Sequence, residues 1–347
     1  MRVFCSLLLI SLAIATAFGQ KGFSLVDLPS KKKVEVRFDG KLLTAYCYFD
    51  STEKPVLWPI KTFSGVTVTR GYPVAPRSGE RSDHPHHLGL WMNYESVNGL
   101  DFWNNSTATP EDKKSNYGSI RHQKILTTKA KKENATLETT SNWVNREGKI
   151  LLEEKTTFIF LKKGNSFIID RIATLEANVP EVVFKDVKDG MLGLRLARQL
   201  EQPSTQADKF VDASGNITSV AKMDNEGVTG LYQNKEGLSG DAVWGKRSPW
   251  ACIRGKKDGE TITVQIIDHP DNVGYPTYWH ARGYGLFAAN PLGQKIFSEG
   301  KEELNFTMKK GEKKTFQYRV IIHSGSSLTT DELNQRAKDF VNMPQLK

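Results

Sequence analysis

Three of the seven histidines of this chain fall within four residues, in the run Asp83-His84-Pro85-His86-His87. Histidine titrates nearest neutrality, and its neutral ring is the commonest metal ligand. The run lies inside a longer polar and aromatic stretch from Arg77 to Trp91, and Val97 to Trp103 continues it. A third stretch carries Asp268-His269-Pro270 and then Tyr278-Trp279-His280-Ala281-Arg282-Gly283-Tyr284, ending at Asn290-Pro291. Acid/base chemistry needs a histidine and a carboxylate on either side of a reacting atom. This pattern names His86 or His87 with His280 as the pair, and Asp83 as the carboxylate that orients a ring. Arg81 and Arg282 would hold a carboxylate or hydroxyls, and Asn290 would bind substrate beside them. Trp91, Trp103 and Trp279 would stack on the apolar face of a pyranose. A divalent metal held by His84, His86, His87 and His280 ranks below acid/base chemistry, because His-Glu-x-x-His and paired-Cys spacings are absent. The third reading is structural: buried rings, hydrogen-bonded to Asp83 or to carbonyls. Pro85 disfavours the helical region at His84 and predicts an extended segment, with His84 and His86 on one side and His87 on the other.

Most of the 347 residues read as antiparallel strands that would carry these groups. Short alternating or β-branched runs occur at 34–38, 42–49 and 66–69, and longer ones at 124–128, 136–144, 150–161 and 166–175. Thr157 to Leu161 and Phe167 to Asp170 read as central strands buried on at least one face. Two more runs follow at 261–267 and 315–323. One helix is expected over 330–341, packed outside the sheets, where Thr329 and Glu332 fit a capping box. Residues 203–245 read as a long loop region. The expectation is all-β: a large antiparallel two-sheet sandwich with few helices, one of them at the C-terminus.

Residues 1–19 read as a secretory signal peptide, with a basic start, an apolar run and Ala17-Phe18-Gly19 before the cut. That leaves 20–347 as a single β-sandwich domain, exported to the periplasm or the medium, with no membrane span in the mature chain. Cys47 and Cys252 show no redox or zinc spacing, and sequence alone leaves their pairing open. The net charge of +9 is dispersed over lysine pairs at hairpin ends, and no nucleic-acid recognition motif appears. Gly-x-Ser-x-Gly, Gly-x-Gly-x-x-Gly and phosphate-loop motifs are absent, so the sequence requires no cofactor.

Asp83 to His87, with Gly89-Leu90-Trp91, Asn98-Gly99 and Asp101-Phe102-Trp103, resembles a signature of the exported PmoA-like family of unknown function. Trp279-His280-x-Arg282-x-Tyr284 to Pro291 resembles its second signature. The family label borrows the name of an integral membrane methane oxygenase subunit, and the missing spans argue against methane oxidation here. The resemblance implies a galactose-mutarotase-like supersandwich and a carbohydrate or glycoside ligand. It further implies an epimerase, lyase or hydrolase, with a non-catalytic saccharide-binding protein as the alternative. Leu88 and the run Met92-Asn93-Tyr94-Glu95 depart from the pattern, and substrate preference would differ if that run lined the cleft.

Overall fold

The computed structural model describes residues 21–222 and 224–343; the leader segment 1–19 lies outside the described residues. Two eight-stranded sheets dominate, and every strand pair within them is antiparallel. The first sheet runs, in spatial order, Phe23–Leu28, Lys33–Phe38, Lys41–Cys47, Val56–Leu57, Leu90–Met92, Leu192–Arg195, Leu286–Asn290 and Tyr278–Arg282. The second runs Leu231–Asn234, Trp250–Lys257, Glu260–Asp268, Lys313–Ser324, Ser166–Ala177, Ile150–Lys163, Asn134–Val144 and Ser119–Ala130. The sandwich expected from the alternating runs is therefore what forms.

Period-two patterning explains the layers. Along Asn134–Val144 every second side chain is buried, from Ala135 through Leu137 to Trp143. These meet Leu90, Met92, Leu192, Leu194 and Phe287 of the first sheet in one continuous core. Each large side chain fully buried there contributes roughly 1.5–3 kcal/mol. The outer face of the second sheet is covered by the helix Thr330–Val341, whose Leu333 and Phe340 pack on Trp250, Ile267 and Ile321. Its capping box is present: Thr329 Oγ1 accepts from Glu332 N, and Thr329 N donates to Glu332. Strand Ser166–Ala177 is buried on both faces over Phe167–Asp170, where Arg319 pairs with the Asp170 carboxylate at 2.6 and 2.7 Å.

Two expectations fail. Residues 66–69 form no strand; they run as a strap, with isolated bridges from Thr67 to Lys61 and Thr69 to Leu196. Residues 203–245 are not plain loop. They hold a hairpin, Asp208–Val211 with Ile217–Val220, and the edge strand Leu231–Asn234. Cys47 and Cys252 sit buried and unpaired in different sheets. Among the described residues no helix is long and apolar enough to cross a membrane.

Candidate functional site

Because Leu90, Met92, Leu192, Leu194, Phe287, Trp279 and Ala281 face the inter-sheet core, alternation sends Trp91, Gly193, Arg195, Ala288, His280 and Arg282 to the opposite face of the first sheet. Segments from Arg81 to Leu88 and from Asp101 to Asn105 roof that face. Gly193 makes room for the roof. A Cβ there would come within 2.4 Å of the Trp91 ring and 2.9 Å of Trp103. Gly193→Ala should therefore cost about 1–3 kcal/mol by overpacking. Urea unfolding measures it, and an unchanged midpoint would show that the two indoles shift freely.

The histidine run is wrapped around a guanidinium. Arg70 is almost wholly buried and donates to the carbonyls of Arg81 (3.3 Å), Asp83 (2.8 Å), His84 (2.8 Å) and His87 (3.0 Å). Its demand for these acceptors overrides the local preference set by Pro85. His84 takes φ +42°, in the left-handed region, and His87 N donates to His84 O. The extended arrangement expected from sequence is corrected accordingly. The His84 and His87 rings are parallel at 4.8 Å, and His86 stands edge-on to both.

Asp83 is the centre of the charge network. Arg195 donates to it at 2.6 and 3.1 Å, Arg70 at 2.7 Å, and His84 Nδ1 contacts the remaining lone pairs of Oδ2. Burial alone would raise its pKa, but Arg195, His84 and Arg70 hold the carboxyl far below the usual carboxylate range. The histidine that Asp83 contacts is His84. That ring is exposed, and its Nε2 has no partner among the described residues.

The other histidines are enclosed. His87 Nε2 accepts from Trp103 Nε1 at 3.2 Å, and Nδ1 lies 3.3 Å from Arg195 Nη1. Burial, His86 and Arg195 push its pKa well down. Buried, with the N–H groups of Trp103 and Arg195 against its two nitrogens, His87 is enclosed away from the open surface. Among the described residues no group of three or more His, Cys, Asp or Glu is placed to hold a metal ion. His86 has a buried Nε2 with no partner, and its carbonyl accepts from Lys54 Nζ at 2.8 Å. Lys54 is itself buried, which pushes its pKa down to about 7. His280 Nδ1 lies 3.2 Å from Asp189 Oδ1 without hydrogen-bond alignment, and burial lowers its pKa.

The expected sugar-stacking residues have no free ring face. Trp91, Trp103 and Trp279 are 0% exposed. Trp279 lies in the inter-sheet core and donates to Ser248 O. Asn290 is also enclosed: its Nδ2 donates to Val187 and Lys188 carbonyls, pinning the loop that carries Asp189. Of the run that departs from the family pattern, Met92, Asn93 and Tyr94 are buried and Glu95 is half-buried, and none of the four lines the open cleft beside the site.

Open space lies at the edge of this roofed face. A cleft of about 850 Å³ is lined by Arg81, Gln202, Trp244, Arg282 and Tyr284, with Asp208 and Asp241 among its carboxylates. Arg81 is a strut of its wall, bound to Glu201 Oε2 at 2.7 Å and paired with Asp208. Tyr284 joins cleft to histidines: its ring is parallel to His84 at 5.1 Å, with the Arg195 guanidinium 4.8 Å from its centroid. Arg70, Arg195, Glu201, Asp189 and Trp244 escaped the sequence reading. For Arg195 there was a signal, a charged residue inside Met191-Leu-Gly-Leu-Arg-Leu-Ala197, where a strand buried on both faces tolerates charge only with a partner.

Fold and site together define an all-β sandwich with one sheet face roofed by a histidine turn and an open polar cleft beside it. The chain belongs to DUF6807, a family of unknown function, whose model matches residues 33–338. No curated protein matches the sequence. Among solved structures it is similar to the galactosidase domain of an α-galactosidase–sucrose kinase, at 10% identity and TM-score 0.38, covering 87% of this chain and 42% of that one. The α-galactosidase from Lactobacillus brevis gives 9% identity and TM-score 0.36, with 88% and 39% covered. A GalM/aldose epimerase homologue from C. elegans gives 10% identity and TM-score 0.31, with 89% and 100% covered. The chain spans about two fifths of the α-galactosidase chains it matches.

Proposed function

We propose that this chain is an exported, PmoA-like, carbohydrate-active enzyme of epimerase, lyase or hydrolase type, which acts on a saccharide or glycoside by histidine acid/base chemistry. The observation that carries the reading is the Asp83–His84 pair. An exposed imidazole has its Nδ1 against a carboxylate that two buried arginines hold ionised, and its Nε2 is open. Such a carboxylate fixes the tautomer with Nδ1–H, leaving Nε2 to take a proton and return it. The ring lies against Tyr284 of the cleft, where hydroxyls find Gln202 and Asp241. In this reading Asp83 orients His84. His86 and His280 remain deeper candidates, and the stacking role passes from the buried tryptophans to Tyr284 and Trp244.

A non-catalytic saccharide-binding protein is the second reading, favoured by the burial of His86, His87 and His280, which lowers the pKa of each. One experiment separates the two. A panel of oligosaccharides and glycosides is tested for turnover and binding with wild type and His84→Gln. The enzyme reading expects turnover that falls about 10²–10⁴-fold in the variant, with affinity and melting temperature kept. Undiminished turnover removes His84 from the chemistry. Binding without turnover in wild type leaves the second reading.

A further inference from the structure

We infer that the cleft takes an acidic saccharide, with a uronate carboxylate seated on Arg282 and neighbouring hydroxyls on Asp241. This rests on the saccharide reading above and names the ligand class of the same cleft. Arg282 is exposed on the cleft wall, and its guanidinium has no hydrogen bond or ion pair among the described residues. The contrast with its neighbours is chemical. Arg81 is bound to Glu201 and Asp208, Arg198 to Glu201, and Arg195 and Arg70 to Asp83. Arg282 alone of these five faces the cleft without a counter-charge.

It is nevertheless held in place. The guanidinium carbon lies 5.5 Å from the centroid of the Trp244 ring, and Trp244 is braced edge-to-face by Phe297 at 5.7 Å. A guanidinium resting on an indole keeps its N–H edge directed outward, and that edge matches a carboxylate bidentately. Part of the ordering cost of binding is thereby met before the ligand arrives.

The second half of the recognition is Asp241. One of its oxygens accepts from Gln202 Nε2 at 2.8 Å, and the other has no partner among the described residues. It forms no ion pair with Arg282. Gly283 keeps the floor between them low, since a Cβ there would sit 3.2 Å from Gln202 Nε2 and 3.8 Å from Asp241 Oδ1. The cleft therefore places an uncompensated cation beside an uncompensated carboxylate oxygen. A simple anion answers only the first, and a neutral sugar only the second. A sugar acid carries a carboxylate and hydroxyl donors on one ring and answers both.

The test uses gluco-, galacto- and mannuronate oligosaccharides, each as free acid and as methyl ester, beside neutral oligosaccharides, with binding read by calorimetry. Esterification removes the charge and leaves the ring and hydroxyls. At least one free acid should bind wild type about 10–100-fold more tightly than its ester, as charge-assisted hydrogen bonds require. Arg282→Gln should abolish that preference while changing ester affinity less than about twofold and leaving the melting temperature unchanged; Arg282→Lys should restore part of it. Equal binding of acids and esters, or binding of neutral sugars only, overturns this inference and leaves the saccharide reading standing. Failure of every saccharide to bind overturns both. An acid preference that survives in Arg282→Gln places the carboxylate elsewhere and also overturns the inference.

Discussion

Replacing Asp83 by Asn lowers the free energy of unfolding by about 3–5 kcal/mol. The carboxylate is the shared counter-charge of Arg70 and Arg195, which are 1% and 0% exposed. Asn has nearly the same shape, so the loss measures charge and not packing. Two guanidinium groups would be left in the roofed face with only more distant carboxylates, and water does not reach them there. The pH dependence carries the same signature. The folded pKa of Asp83 is held well below its ordinary value by Arg195, His84 and Arg70 against burial. Its stabilisation is therefore fully present above the unfolded pKa near 4 and is lost as pH falls below it. Urea unfolding of wild type and variant between pH 3 and 7 should show the gap narrowing toward acid. A gap below about 1 kcal/mol at pH 7 would mean that solvent already screens the arginines.

The opposite sign is expected at Asp268, the second large effect. This carboxyl ends strand Glu260–Asp268, is 1% exposed, and accepts from Asn272 Nδ2 at 2.7 Å and Thr277 N at 2.8 Å. Burial outweighs these hydrogen bonds and the Arg247 charge and pushes its pKa up to about 7. The folded state keeps the proton while the unfolded chain releases it near pH 4. Stability from this group is thus greatest below pH 4, declines as pH rises to about 7 and is level beyond, with a span of about 4 kcal/mol at most. Asp268→Asn cannot titrate. It places an amide donor toward one of the two N–H groups, which costs about 1–3 kcal/mol at every pH. The wild-type advantage over the variant should accordingly shrink by several kcal/mol between pH 4 and 7.5 in melts at matched ionic strength. A constant difference would show that Asp268 is ionised in the fold throughout.

Fold class was legible in the sequence because one-dimensional periodicity carries it. The run Asn134–Val144 alternates inward and outward as its residues do, and the Thr329–Glu332 box closes the helix it predicts. Regions of the site were legible too, since Asp83 to His87 and His280 to Tyr284 do meet on one sheet face. The roles within them were not. An indole in a polar stretch reads the same whether its ring faces ligand or core, and Trp91, Trp103 and Trp279 all proved to be enclosed. Arg70 lies outside the segments that drew attention, Trp244 lies in a region read only as a long loop, and each matters through what folding brings to it.

By itself, then, the sequence determined the sandwich, its turns, its capped helix and the two segments where chemistry gathers. All of these depend on neighbours within a few residues. Tertiary structure alone decided which histidine faces out. Pro85 prescribes an extended His84, yet Arg70 collects four carbonyls and sets that residue at φ +42°. Arg195 reaches Asp83 across 112 residues of chain. A local backbone preference of about a kilocalorie per mole gives way when a buried guanidinium must find its acceptors, because leaving such a charge unpaired costs several.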